Sequence, residues 1–262
     1  MPDFNFNQLI RKAHSVLNEN RNAKYEITDE VHPRKRNLRR IRALRDIRRH
    51  GVRAGDLGGY VESEKNLNQE GDAWISGKAS VSGDAHVSGN ASVSEDAQVT
   101  GITHVFGDAR VYGNAQVSGT AEVYGAAQVF TNARVSGYAL VSGRAQVYGE
   151  AHISGDARVF DNARVFDNAQ LSNQASVYED AHIFDNARVS DVAEVYGKAR
   201  VFDDARVFDD ARVYGSAQVS NYAKVSGEAE VSGNAEVSGN AEVSGRAVID
   251  GKQKVSGNEQ VS

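Results

Sequence analysis

From Ala73 to Ala247 one pattern decides which positions are apolar. A small residue recurs every six places, alanine in every case except Thr103, and an aliphatic residue follows two places later, from Ile75 through Val81 and Val165 to Ile249. Val255 and Val261 continue the aliphatic series, and no insertion breaks the 30 hexads. In an extended segment the first and third residues point the same way, so Ala and Val face inward and the residue between them faces water. The next three positions, typically Ser, Tyr or Phe, then Gly or Asp, then Asn or Asp, are turn formers able to take positive φ. Each hexad therefore predicts a short strand and a corner. Three corners close a triangle, so about 18 residues make a coil and the hexads make about ten coils, paired as parallel strands about 4.8 Å apart in a rod roughly 50 Å long. A helix needs a period of about 3.6, and sandwich strands need turns every 8 to 12 residues, so neither fits.

The first 70 residues follow another rule. In residues 1–23, Phe6, Leu9, Ile10, Ala13, Val16 and Leu17 share one helical face, with Phe4 beside them, which predicts an amphipathic helix over 4–17. Residues 24–70 hold a basic cluster of Arg34, Lys35, Arg36, Arg39, Arg40, Arg42, Arg45, Arg48, Arg49 and Arg53. Here Leu38, Ile41, Leu44 and Ile47 recur every three residues, a period that by itself favours a helix. A cap is needed at this end, because an open coil exposes apolar core and unpaired backbone. At the far end Gln253 and Glu259 replace the inward alanine, as expected where the core runs out.

The unit Val-x-Gly-Asn-Ala-x resembles the hexapeptide repeat of left-handed parallel β-helix proteins. The lead-in is more specific: Lys24-Tyr25-Glu26-Ile27-Thr28-Asp29, Leu38-Arg39-Arg40-Ile41-Arg42-Ala43-Leu44, and Ala54-Gly55-Asp56-Leu57-Gly58-Gly59-Tyr60-Val61 running into Gly71-Asp72-Ala73-Trp74-Ile75. Over residues 24–262 the chain is similar to the YdcK-like bacterial and prophage hexapeptide-repeat proteins. That resemblance implies an all-β, left-handed parallel β-helix solenoid over 71–262, against the usual crossover hand. It also implies short strands in the basic capping region 24–70, giving a small N-terminal α+β cap with the helix. Such proteins tend to be labelled transferases from the repeat alone, and a fold does not fix a function.

Composition narrows the chemistry. The chain has 262 residues, 40% hydrophobic and 25% charged, with a net charge of −5, which suits a soluble protein with a sizeable core. It has no cysteine, so disulfides, thiolate metal sites and cysteine nucleophiles are excluded. No apolar run approaches a membrane span and no signal-peptide layout is present. A cytoplasmic protein without membrane partners is expected.

Residues 18 apart fall on neighbouring coils, so the surface reads in columns. One column after the inward valine holds Phe106, Tyr124, Phe160, Tyr178, Tyr196 and Tyr214; a second holds Tyr112, Phe130, Tyr148, Phe166, Phe184 and Phe202. The third is Ser or Thr, with Phe208 the exception. Stacked rings contribute about 0.5–1.5 kcal/mol per contact, and half-exposed aromatic strips also serve as binding surfaces. Between Ala and Val lie basic columns, Arg134, His152, Gln170, Arg188, Arg206 and Lys224 on one face and Arg110, Arg164, His182 and Arg200 on another. Corner acids such as Asp161, Asp167, Asp185, Asp203, Asp204, Asp209 and Asp210 are expected to neutralise many of them. Glu230, Glu236 and Glu242 predict an acidic girdle near the C-terminal end.

Catalytic constellations are sparse. His86 and His104 stack on one face, the nearest approach to a base or a metal pair, but a third ligand at matching spacing is lacking. No metal site and no cofactor is expected. Hexapeptide acyltransferases, which resemble such a rod, place a histidine beside loops that leave the coils, whereas no loop leaves this one. Ligand sites are concave, and an uninterrupted rod offers faces, edges and ends, so recognition is expected to use broad surfaces instead of a pocket. The reading is a non-enzymatic structural and protein-interaction rod that binds a partner or a second copy through its aromatic edges and flat faces, a dimer being favoured over a trimer. The alternatives are a hexapeptide-class acyltransferase and a prophage-encoded inhibitor or decoy of a host or defence protein. Nucleic acid is disfavoured by the net negative charge, despite the basic head of Arg39, Arg40, Arg42, Arg45, Arg48 and Arg49.

Overall fold

The computed structural model describes residues 23–262, and the helix expected over 4–17 lies outside them. From Trp74–Ile75 to Gln260–Val261, two-residue strands follow one another at six-residue spacing. They fall in rotation onto three parallel sheets. Face one runs from Trp74–Ile75 to Lys254–Val255, face two from Ser80–Val81 to Gln260–Val261, and face three from His86–Val87 to Val248–Ile249. Every residue pairs with the one 18 places on: Val147 with Val165, and Val165 with Ile183. The result is an all-β parallel solenoid with 11 strands on face one.

That is about one turn more than the alanine count predicts. The hexads of Val255 and Val261 still form strands although they lack the inward alanine. There the longer side chains bend back: Gln253 Oε1 accepts the Asp250 N–H at 2.8 Å, and Glu259 Oε2 accepts the Ser256 N–H at 3.2 Å. A polar group that would be stranded in the core instead satisfies a corner amide.

Alanines and valines of the repeat form one continuous core, fully buried from Ala73 to Val243. Thr103 is buried at an alanine position, and its Oγ1 has no hydrogen-bond partner among the described residues. Each seam between coils is closed by backbone bonds from residue i to residue i+17; one seam runs through nine of them, from Arg144 N–H to Asp161 C=O to Phe160 N–H to Val177 C=O. The corners turn through a left-handed residue, usually glycine. Between Asp161 and Asn221, however, nine non-glycine residues, mostly Asp and Asn, hold φ of 55–59°.

The capping region contains three strands, β1 (Tyr25–Val31), β2 (Arg39–Ala43) and β3 (Leu57–Val61). β1, β2 and β3 pair antiparallel, and β3 joins Ser80–Val81 in parallel, so the cap continues face two. The three-residue spacing of Leu38, Ile41, Leu44 and Ile47 is therefore not helical. Leu38, Ile41 and Ile47 enter the core from a strand and its flanking turns, while Leu44 is 41% exposed. β3 lies so close to the first coil that a Cβ on Gly59 would stand 2.6 Å from the Ala79 carbonyl oxygen. Asn66 fills the space inside the cap. It donates to the Gly83 and Ala85 carbonyls and accepts from the Glu62 and Ser63 amides, so a buried amide is fully satisfied. Among the described residues no helix is long and apolar enough to cross a membrane.

Candidate functional site

The corner between faces one and two carries the longer aromatic ladder. Tyr112, Phe130, Tyr148, Phe166, Phe184 and Phe202 stack with centroids 4.8–5.1 Å apart and planes within 11° of parallel. The spacing is that of the strands, so the backbone sets it and the rings follow. The ladder between faces three and one is broken at Ser142 into Phe106–Tyr124 and Phe160–Tyr178–Tyr196–Tyr214. All these rings are half-buried. Tyrosine hydroxyls reach back onto the faces, Tyr178 to Glu194 at 3.4 Å and Tyr214 to Glu230 at 3.1 Å. Burial, then the Glu194 charge, pushes the Tyr178 hydroxyl up to about 12.

The basic columns lie where the spacing puts them, but the corner acids do not neutralise them. Asp185, Asp203 and Asp209 point along the rod axis and accept the amide N–H of the next coil, from Asp203, Asn221 and Gly227. A carboxylate on a left-handed corner residue is held beside the amide 18 places on, and this draws it away from the flat face. Among the described residues the ion pairs of the rod lie elsewhere: Arg212 with Glu194 and Glu230, Lys224 with Glu242, Arg246 with Glu228, and Lys254 with Glu236. The acidic girdle is thus present on all three faces, with each glutamate paired. Arg134, Arg188 and Arg206 stay exposed on face two. On face one Arg200 lies over the Phe184 and Phe202 rings at 5.1 and 5.4 Å.

The basic head is largely tied into the cap. Arg40 pairs with Glu30, Arg42 with Glu26 and Arg49 with Asp108, while Arg45 donates to the Gly71 carbonyl and Arg39 to that of Asp29. His86 and His104 do stack, ring centroids 6.4 Å apart and edge-on. His86 Nδ1 is engaged with the Lys65 carbonyl at 2.7 Å, and among the described residues no group of three possible metal ligands converges.

Contrary to the expectation of faces and edges alone, the surface has hollows, among them one of about 330 Å³ between Arg188, Arg206 and Tyr222 and one at the cap. The cap turn from Ile47 to Val52, closed by Gly51 at φ 67°, folds against face one and leaves a groove of about 570 Å³. Arg49, His50 and Val52 form one wall, Trp74, Ser76, Ser92 and Ser94 the floor, and Asn90, Glu95, Asp108, Arg110 and Tyr112 the rest. The turn is pinned by Arg49 to Asp108 at 2.6 Å, whose carboxylate also accepts from Asn90 at 3.0 Å. Burial holds the His50 imidazole below the usual histidine range. The hexad pattern gives no sign of this groove, because its wall comes from outside the repeat. The available signal was the run of small residues Ser76, Ser92 and Ser94 directly before the ladder starts at Tyr112.

Uninterrupted coils, three parallel faces and stacked corner ladders define a β-solenoid repeat rod. Three segments, residues 105–126, 157–173 and 205–221, match the YdcK beta solenoid repeat family, and over these repeats the chain is similar to that family. No curated protein matches it.

Proposed function

We propose that this protein is a non-enzymatic recognition rod that binds a protein partner, or a second copy of itself, through the six-ring edge and the two basic faces beside it. The observation that carries this reading is the set of exposed arginines, Arg134, Arg188 and Arg206, which form no ion pair among the described residues, while the corner carboxylates of Asp185, Asp203 and Asp209 bond to backbone amides. Tyrosine and phenylalanine supply contact area at low entropic cost, and adjacent arginines fix orientation on an acidic surface. A symmetric dimer is the simplest self-associated form. Light scattering across a concentration and salt series tests self-association, with a mass above the 28.3 kDa monomer expected at low salt and lost in an Arg188→Glu, Arg206→Glu double variant. Affinity capture from the native host with the same variant tests a foreign partner. A constant monomer mass together with unchanged capture by the double variant would remove the reading.

A further inference from the structure

The long ladder has two ends, and they differ. At the Phe202 end the next position in the column is Ser220, on the plain shaft of the rod. At the Tyr112 end the next position is Ser94, so Phe130 stacks on one face of the Tyr112 ring and no ring follows on the other side, where Tyr112 and Ser94 both line the groove beneath the cap turn. One π-face is thus left without a stacked ring, at a column position where the sequence has serine. Around it the polar groups are balanced in charge. Asp108 is already neutralised by Arg49. Arg110 and Glu95 have no side-chain partner among the described residues and stand on the same groove, with serine hydroxyls between them.

We infer that the groove beneath the cap turn binds a neutral sugar ring of a glycan, seated on the open face of Tyr112 and oriented by Arg110 and Glu95. A pyranose presents a face of C–H groups, weakly positive, that complements the negative face of an aromatic ring. Its neighbouring hydroxyls are both donors and acceptors, and they match a guanidinium that only donates and a carboxylate that only accepts. A phosphorylated or carboxylated ligand would gain from Arg110 but meet the Glu95 charge, and a purely apolar ring would leave both ions unpaired and desolvated. The site shares Tyr112 with the six-ring edge and Arg110 with face one, whereas Arg188 and Arg206 lie on face two, so the Arg188→Glu, Arg206→Glu variant that tests partner binding leaves the groove unaltered and the two readings fail separately.

Trp74, the only tryptophan of the chain, lies in the groove floor and reports on it directly. Purified full-length protein titrated with maltohexaose, cellohexaose and chitohexaose is expected to give a saturable change in tryptophan emission with at least one of them. Ser94→Phe extends the ladder by one ring and plugs the site, and it is expected to weaken that binding at least tenfold. Ser220→Phe extends the same ladder at its other end and is expected to leave binding unchanged. Arg110→Gln, on an exposed face, provides a second variant if Ser94→Phe does not fold, and is expected to weaken binding several-fold. The inference is overturned if none of the three sugars changes the emission, if Ser94→Phe folds and binds like the parent, if Arg110→Gln binds like the parent, or if N-acetyl-phenylalanine amide binds where the sugars do not.

Discussion

Lys24 is the residue where burial and charge conflict most sharply. It is fully buried, and its ammonium donates to the Ala73 carbonyl at 2.9 Å instead of meeting a carboxylate. Burial, assisted by the Arg45 charge and opposed by Asp72, lowers its pKa to about 8. Between about pH 8 and 10.5 the unfolded chain therefore holds a proton that the folded chain has released, so stability rises with pH in that window, by at most about 3 kcal/mol. Tyr25 acts in the opposite sense. Burial, with the Glu64 charge, raises its pKa, so above about pH 10 the unfolded tyrosine ionises while the folded one keeps its proton, and stability falls. Thermal melts are expected to peak near pH 10, and Lys24→Met is expected to flatten the rise between pH 8 and 10. Thr103 is a second such residue, with a buried hydroxyl that nothing among the described residues satisfies. Thr103→Val keeps the shape and removes the hydroxyl, and is expected to add about 1 kcal/mol in denaturant melts. The sequence marks Thr103 as the one departure from alanine. Lys24, by contrast, looks like any surface lysine, because its burial depends on Gln69 and Ala73 folding over it.

At the scale of strand and corner, the inward assignment of Ala and Val was fully legible, because a six-residue period leaves no other face for them. Val165→Asp is accordingly expected to unfold the coils around it, with loss of β signal in circular dichroism, since it places an unpaired carboxylate beside Val147 and Ile183. The direction of the corner acids was not legible. Composition puts acids near arginines, but on the left-handed residues Asp185, Asp203 and Asp209 the carboxylate turns along the axis to the amide 18 places on. Asp203 accepts both the backbone and the side-chain N–H of Asn221 at 3.0 Å. Asp203→Ala keeps a Cβ at positive φ and loses both bonds, so a loss of about 1–2 kcal/mol is expected in equilibrium unfolding. Asp203→Asn retains an acceptor and is expected to stay within about 0.5 kcal/mol of the parent.

For the whole molecule, every side chain on the shaft has neighbours one coil above and below, so register is the property that matters. Removing residues 145–162, one complete coil, keeps each column in line and is expected to give a folded rod with a somewhat lower melting temperature. Removing the six residues 145–150 preserves the alternation of the core but shifts all later strands by one face. The half-ladder above the cut would then meet serines, and a larger loss of stability is expected than from the threefold longer deletion. Denaturant melts of the two deletions decide the order. The groove at the cap escaped the pattern for the same reason that the shaft obeyed it: periodicity describes contacts between equivalent coils, and Arg49 meeting Asp108 joins a non-repeating turn to a repeating shaft.

The seams also make the rod mechanically anisotropic. Nine amide bonds close one seam, all running along the axis. Tension applied to a whole coil along that axis stretches the nine together with the ring contacts, and the load is shared. Tension applied to a chain end instead draws on one bond at a time and unwinds the coil like thread from a spool. A rod of this build resists shear and bending between two anchored surfaces, and yields, turn by turn, when pulled by its terminus.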